Sequence, residues 1–304
     1  MTHSVQTPCG VRRFRGGARP RAHPPKIAQA EEPAPLSTLS EAIDQATRPE
    51  EDDDAYWAAV EGLRKEGPSE AWRLVAPLAL DPRPEVRALV PDVMRYFSPH
   101  PLRDEVVGRL ATMLETERAP IVLRSIAMAF VDLHHPRAAE LLPPLLESAD
   151  PRVRGAAVHG LLSVPNATST DCFVRSSSDE DDDVRNWATF GLRVLMGDVD
   201  DPDARDTPEI RAALVARLDD EVAEVRAEAI LALATRRDAR ALPRLMHELR
   251  EWPEWNHCIE AAEHFANPAL HPLLLSLARE WPEETAALAP AIRACAPPAG
   301  NGEA

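Results

Sequence analysis

The sequence predicts an all-α protein, an α-α superhelix (solenoid) of about seven helical hairpins. One observation is a motif that returns along the chain, in which an acidic pair or Asp-Pro is followed by Val-Arg and an Ala-rich amphipathic run. A second is its period of about thirty residues, because periods of this length are typical of stacked repeats. A third is the composition, since few aromatic residues and abundant Ala and Leu suit closely packed helices.

Four copies of this Val-Arg motif are evident. They are Asp81 to Arg87, Asp150 to Ala157, Asp181 to Ala188 and Glu221 to Ala229. Arginines at the motif position lie at Arg87, Arg124, Arg154, Arg185 and Arg226, with spacings of 37, 30, 31 and 41 residues. The longest spacing contains an insertion from Gly197 to Arg205, which supports the register of the repeats.

Each helix is predicted from an apolar stripe that begins after a capping residue or a proline. A short helix, Ser37 to Ala46, is expected to cover the exposed end of the stack, as repeat proteins require. The pairs that follow are predicted at Pro84–Phe97 with Leu102–Leu114, Pro120–Leu133 with Arg137–Glu147, Arg152–Ser163 with Thr168–Ser176, and Val222–Thr235 with Ala239–Arg250. A further pair carries Trp187 to Leu192 on its first helix and begins its second with a capping box from Asp206 to Glu209.

The C-terminal part keeps the period without the motif. Arg250 to Glu254 returns letter for letter as Arg279 to Glu283, 29 residues later, and a last helix is predicted from Glu283 to Cys295. We expect three segments: a disordered basic tail over residues 1–35, the helical repeats over 36–296, and a disordered tail over 297–304.

The recurring arginine needs an acceptor wherever it is buried, because an unpaired buried charge is costly. We therefore expect the five arginines to form a structural ladder with nearby acids such as Asp150 and Asp183. A phosphate-binding stripe is the alternative, which the adjacent acids and the overall acidity disfavour.

The paired helices, the Asp-Pro openings and the Val-Arg before an Ala-rich run resemble HEAT repeats, and in particular the HEAT-like repeats of phycobilin lyases. The match covers about residues 50–295. The stretch from Asp183 to Leu192, followed by Asp206 to Arg211, is similar to a family of bacterial HEAT-repeat proteins, although the insertion between the two departs from that family. The resemblance implies an interaction scaffold. It does not imply the HEAT-like enzyme deoxyhypusine hydroxylase, because four His-Glu dipeptides are needed and this chain has only His247-Glu248.

Charge and cysteine content narrow the function further. The formal net charge is −16, and the basic first thirty residues leave about −22 on the remainder, which argues against nucleic acid as the main ligand. The four cysteines form no CxxC pair, and no apolar run reaches membrane-spanning length. We expect a cytoplasmic protein without cofactor or metal.

Two stretches carry weak metal-ligand patterns, and both are more typical of an ordinary polar surface. His257, Glu260 and His264 could share one helical face and hold a metal, but their spacing matches no strong motif. Asp198, Asp200 and Glu209 fall at calcium-loop positions, but Pro202 and Asp203 occupy positions that need an oxygen ligand and Gly.

We therefore predict a non-catalytic scaffold that binds a protein partner with a basic face along an acidic concave surface. The candidate partner-binding residues are Asp179, Glu180, Asp198, Asp200, Trp252 and Trp255. The alternative is a HEAT-like lyase or maturation factor that acts on a protein-bound cofactor. Trp187 and Phe190 are expected in the core between repeats, and the short polar helix near Pro165 to Ser178 is expected to be a site of local opening.

Overall fold

The computed structural model describes residues 35–48, 53–97, 100–197, 201, 203–251 and 255–298. Within these ranges the chain contains sixteen α-helices, five short 3₁₀ turns and no β-strand. The helices are α1 Pro35–Ala46, α2 Asp53–Lys65, α3 Pro68–Val75, α4 Pro84–Met94, α5 Arg103–Thr116, α6 Pro120–Leu133, α7 Ala138–Leu141, α8 Pro151–Leu161, α9 Ala167–Ser176, α10 Asp182–Met196, α11 Pro208–Arg217, α12 Ala223–Thr235, α13 Leu242–Glu251, α14 Trp255–Phe265, α15 His271–Glu280 and α16 Thr285–Ala294. The predicted all-α architecture of helical hairpins is confirmed.

Proline and aspartate set the helix starts. Proline occupies the first turn of α4, α6, α8 and α11, where its missing N–H would be unsatisfied in any case. The Asp150 side chain accepts a hydrogen bond from the Arg152 N–H at 2.9 Å, and Asp181 accepts one from the Val184 N–H at 3.1 Å. Each contact satisfies one of the backbone N–H groups that lack a partner within their own helix at its first turn.

The hairpins differ in one respect from the predicted pairs. Each shorter helix packs chiefly on the longer helix that follows it, so that α9 pairs with α10, α11 with α12, α13 with α14 and α15 with α16. The predicted capping box before α11 was also wrong in detail, because Thr207 caps Ile210 while Asp206 binds Arg211 with two contacts of 2.6 Å.

The chain forms two compact units that divide between Val164 and Pro165. The first contains α1 to α8, and its long helices pack in the order α2, α4, α6, α8. The second contains α9 to α16, and its long helices pack in the order α10, α12, α14, α16. Residues 1–34 and 299–304, which make up most of the two predicted tails, lie outside the described ranges, so the three-segment division stays a prediction.

Close helix contact in each unit depends on a glycine. A Cβ atom at Gly160 would lie 2.7 Å from the carbonyl oxygen of Ala127, so α8 can approach α6 only without a side chain there. In the second unit a Cβ at Gly191 would lie 3.0 Å from the ring of Phe173, which is fully buried. The helix α9, near which local opening is predicted, thus buries Phe173 against α10, and the opening itself stays a prediction.

The aromatic pair of α10 only partly follows the sequence prediction. Phe190 is 1% exposed and lies in the core, as expected. Trp187 is only half-buried, with its ring edge-to-face on Phe190 at a centroid distance of 5.8 Å. A residue three positions earlier on the same helix is rotated partly out of the buried face, so the expectation that Trp187 lies in the core is met only in part.

Candidate functional site

The recurring arginine has the same geometry in successive repeats. Its side chain folds back onto the loop before its own helix, and one guanidinium nitrogen, Nη1, donates to two consecutive backbone carbonyls. The pairs are Arg87 with Asp81 and Pro82 (2.9 and 3.1 Å), Arg154 with Ser148 and Ala149 (2.9 and 3.5 Å), Arg185 with Asp179 and Glu180 (3.0 and 3.2 Å), and Arg226 with Asp220 and Glu221 (2.9 and 3.1 Å). Arg124 lies half-buried in α6.

The other edge of the guanidinium reaches a buried acid from the following repeat. Arg87 binds Glu117 at 2.7 and 3.0 Å, Arg185 binds Asp220 at 3.0 and 3.1 Å, and Arg226 binds Glu248 at 2.8 and 3.4 Å. These three acidic side chains are at most 5% exposed. Bidentate Arg–carboxylate pairs of this kind are directional, so each one fixes the register of one repeat on the next.

The sequence assigned the wrong acids to the ladder. The Asp150 carboxylate caps α8 and lies 3.4 Å from Arg152, and within the described residues this carboxylate makes no ion pair with Arg154, whose backbone N–H bonds the Asp150 carbonyl oxygen instead. Asp183 is exposed and makes no hydrogen bond or ion pair in the part of the chain that the structure describes. The true partners lie 22 to 35 residues after their arginines, and they are specified by three-dimensional packing, which the local motif does not contain.

The pKa directions agree with this geometry. Burial alone would raise the pKa of Glu117, but the Arg87 guanidinium and the N–H groups of Ala119 and Arg118 hold it below the ordinary value. Conversely, Glu117 raises the pKa of Arg87. The pair is therefore charged at neutral pH.

Two of the predicted partner-binding acids belong to a larger acidic surface in the second unit. We define the acidic edge as the acids that precede or open α10 and α12, namely Asp179, Glu180, Asp182, Asp183, Asp219 and Glu221. Arg185 brings the two loops together, because its Nη2 lies 2.7 Å from Asp182 and 3.6 Å from Glu221. The pKa of Asp183 is raised, first by loss of hydration and further by the neighbouring carboxylates Asp181 and Asp182. The edge therefore concentrates negative charge.

The remaining predicted partner-binding residues cannot be placed on this edge. Asp198, Asp200 and Trp252 lie outside the described residues, and so does the side chain of Trp255, which opens α14. Trp281, the exposed counterpart of Trp252 in the repeated C-terminal sequence, is 38% exposed at the end of α15.

The histidines of α14 are near carboxylates. His257 Nε2 lies 3.7 Å from Glu228 Oε1, and His264 Nε2 lies 3.7 Å from Glu260 Oε1. Among the described residues no three His, Cys, Asp or Glu side chains are arranged to hold a metal ion. The sequence pattern missed Glu228 and its partner Arg193, because both lie on other helices.

The described helices include none with the length and hydropathy needed to cross a bilayer. Hairpins of one short and one long helix, joined from repeat to repeat by buried Arg–carboxylate pairs, define an α-helical repeat protein. A family model for HEAT repeats matches residues 107–193. This segment is similar to HEAT repeats, and the resemblance expected from the sequence is confirmed.

Relatives and solved structures agree with this class. Over 122 residues the chain is 31% identical to Protein YibA of Escherichia coli strain K12, a match that covers 40% of this chain and 41% of YibA. The match thus spans less than half the length of that relative. The X-ray structure of E. coli YibA is similar with a TM-score of 0.70 at 20% identity, over 88% of this chain and 99% of that one. A mutant of Kap121p matches with a TM-score of 0.50 at 15% identity, over 86% of this chain and 33% of that one. These likenesses show the fold.

Proposed function

We propose that this protein is a non-catalytic scaffold that binds a protein partner with a basic surface, and that the acidic edge is the contact. HEAT-repeat architecture supports the general role, because repeats that contact only their neighbours build extended surfaces for binding. The negative charge of the acidic edge supports a partner with a basic surface.

The observation that carries the proposal is the unequal exposure of charge. The side chain of Arg185 is only 8% exposed, whereas Asp219 and Glu221 beside it are 89% and 83% exposed. The charge of Arg185 is thus directed to internal pairs and backbone carbonyls, whereas the carboxylates of Asp219 and Glu221 are open to water. Arg244 offsets one of them, since its Nη1 lies 3.3 Å from Asp219. A surface of this kind attracts basic partners and speeds their association.

The test begins with cross-linking of the full chain in host lysate at low salt, followed by mass spectrometry to identify the cross-linked protein. The partner is then purified, and its Kd is measured at low and high salt. The edge variant combines Asp182→Asn, Asp219→Asn and Glu221→Gln. The matched control makes the same charge change on exposed acids of the first unit, with Asp44→Asn, Asp104→Asn and Glu140→Gln.

We expect the edge variant to weaken binding by roughly tenfold or more at low salt, and high salt to reduce that difference, because the contact is electrostatic. The control should bind like the parent. Equal losses in the edge variant and the control would contradict the proposed surface. A partner whose Kd does not respond to salt would contradict the proposed basic chemistry.

A further inference from the structure

The turn between α15 and α16 carries an exposed aromatic side chain. Trp281, which follows α15, is 38% exposed and is one of three large apolar side chains with substantial exposure among the described residues. Pro282 beside it is exposed, and so is Ala286 in the first turn of α16. We define the Trp281 turn as residues 280–287. An indole that stays exposed among other apolar groups is typical of a binding surface.

The charge of the Trp281 turn is entirely negative. Its only charged residues are Glu280, Glu283 and Glu284, and the first two of these are exposed. Within the described part of the chain none of the three carboxylates makes an ion pair. The neighbouring Arg279 lies before the turn, and its Nε donates to the Leu275 carbonyl at 3.1 Å. The turn therefore combines an apolar surface with carboxylates that are available to a positively charged ligand.

The chain itself contains a segment with the complementary chemistry. Residues 19–26 read Arg-Pro-Arg-Ala-His-Pro-Pro-Lys, with three positive side chains, three prolines and no acid. They precede the described residues, which begin at Pro35. Proline-rich segments bind aromatic surfaces well, because proline already restricts φ and little conformational freedom is lost on docking. An arginine or lysine beside an indole adds a cation–π contact.

We propose that residues 19–26 dock on the Trp281 turn, with proline rings against the Trp281 indole and the basic side chains beside the three glutamates. Eight residues in an extended proline-rich conformation span about 25 Å, which is enough to cross a turn between two helices whose axes lie about 10 Å apart. This contact does not depend on the function proposed above, because it uses neither the acidic edge nor a second protein.

The acidic edge is the competing surface, because it attracts the same positive charges. Its described loops contain no large apolar side chain with substantial exposure. The other two such side chains, Leu80 and Leu275, have a basic residue nearby in sequence, at Arg83 and Arg279. Only at Trp281 do an exposed apolar group and an all-acidic surrounding sequence coincide. A segment that is both proline-rich and basic therefore gains most at this turn.

The lysine content of the chain allows a sharp test. Lys26 and Lys65 are its only lysines, and Lys65 is exposed on α2. A carbodiimide joins an amine to a carboxylate only where the two groups are in direct contact. After treatment of the full chain at low salt, peptide mapping by mass spectrometry should find Lys26 joined to a glutamate of the Trp281 turn. Lys65 should not be joined to this turn, and high salt should lower the yield from Lys26.

Two variants separate the apolar part of the contact from its charges. Trp281→Ala removes the indole and keeps every charge, so it should lower the yield of the cross-link by about threefold or more. Its matched control is Leu80→Ala, which removes an 84% exposed apolar side chain of the first unit and should keep the parental yield. In the segment, Pro24→Ser combined with Pro25→Ser keeps Lys26 and should lower the yield by a similar factor.

A Lys26 amine that joins only carboxylates outside the turn, such as those of the acidic edge, would overturn the proposal, and so would the absence of any cross-link from Lys26. A parental yield in Trp281→Ala would also refute it, because attraction between charges alone would then hold the segment. If Trp281→Ala unfolds, the proline variant decides the question, since it leaves every described residue unchanged. A parental yield in that variant refutes the docking.

Discussion

The ladder contact at Asp220 allows a sharp test of what holds one repeat on the next. The Asp220 side chain is 4% exposed and accepts from both Arg185 and Arg217, and its Oδ1 also accepts from the Val222 N–H at 3.1 Å. Asp220→Asn keeps the shape of the side chain and removes its charge. Two partly buried guanidinium groups then lose their counter-charge.

The expected loss in the free energy of unfolding depends on the contacts that Arg185 keeps in the variant. Removing one partner of a buried ion pair costs about 3–5 kcal/mol, because the other charge stays buried and uncompensated. Here Arg185 keeps Asp182 at 2.7 Å and two backbone carbonyls, so we expect the lower end, about 3 kcal/mol. For an m-value of about 2–3 kcal/mol/M, this moves the urea midpoint down by about 1 M or slightly more.

The neighbouring residue provides the control. Asp219 is 89% exposed and has one contact, with Arg244 at 3.3 Å, so Asp219→Asn should change the free energy of unfolding by less than about 0.5 kcal/mol. Urea unfolding followed by circular dichroism, with hydrogen exchange on α12 peptides, measures both variants. Similar midpoints for the two variants would refute the reasoning. A double-mutant cycle with Arg185→Gln should return a coupling of about 1–3 kcal/mol, and a coupling near zero would show that the pair adds nothing.

Two further predictions concern burial and pH. Phe190→Ala should destabilise the protein by about 3–5 kcal/mol, because it leaves a cavity in the core. Trp187→Ala should cost clearly less, about 1–2 kcal/mol, because Trp187 is only half-buried. Thermal melts that rank the two variants in the opposite order would contradict this. Asp238 has its pKa lowered to about 2, first by Arg240 and also by Arg211, so its stabilising contribution is complete above its unfolded pKa, near 4, and is lost as pH falls towards 2. The difference in urea midpoint between the parent and Asp238→Asn should therefore shrink between about pH 5 and pH 2.5, and a constant difference would show that charge is not its basis.

The sequence predicted the repeats well because their signals are local. Proline, aspartate and the Val-Arg motif act within one turn of the residue that carries them, and α6 begins and ends at the predicted Pro120 and Leu133. The apolar stripes also placed Phe190 in the core. The sequence did not predict which helices pair into hairpins, because helix spacing alone does not determine which of its two neighbours a helix packs against.

The partners of charged residues could not be predicted for a similar reason. The motif showed that its arginine needs an acceptor, but Glu117 and Asp220 lie a whole repeat further along, and nothing in the sequence beside them distinguishes these buried acids from the exposed ones. Glu228 was missed because the repeats do not conserve an acid at its position. It lies two residues after Arg226, and the residue two after Arg185 in the preceding repeat is Trp187. A buried acid inside an Ala-rich run is the one signal that could have drawn attention to it.

Asp220 serves two repeats at once, and this limits where the chain can change its length. Its side chain binds Arg185 from the repeat before, and its carbonyl oxygen binds Arg226 from the repeat after. A duplication or deletion that begins in this loop would break both rungs. In its described residues the connection from α10 to α11 belongs to no rung, and there the chain already carries its extra residues, with the Arg205 N–H returning to the Leu195 carbonyl at 2.7 Å. Repeats exchanged as modules should therefore be joined at that connection, where growth leaves the register of the neighbouring hairpins unchanged.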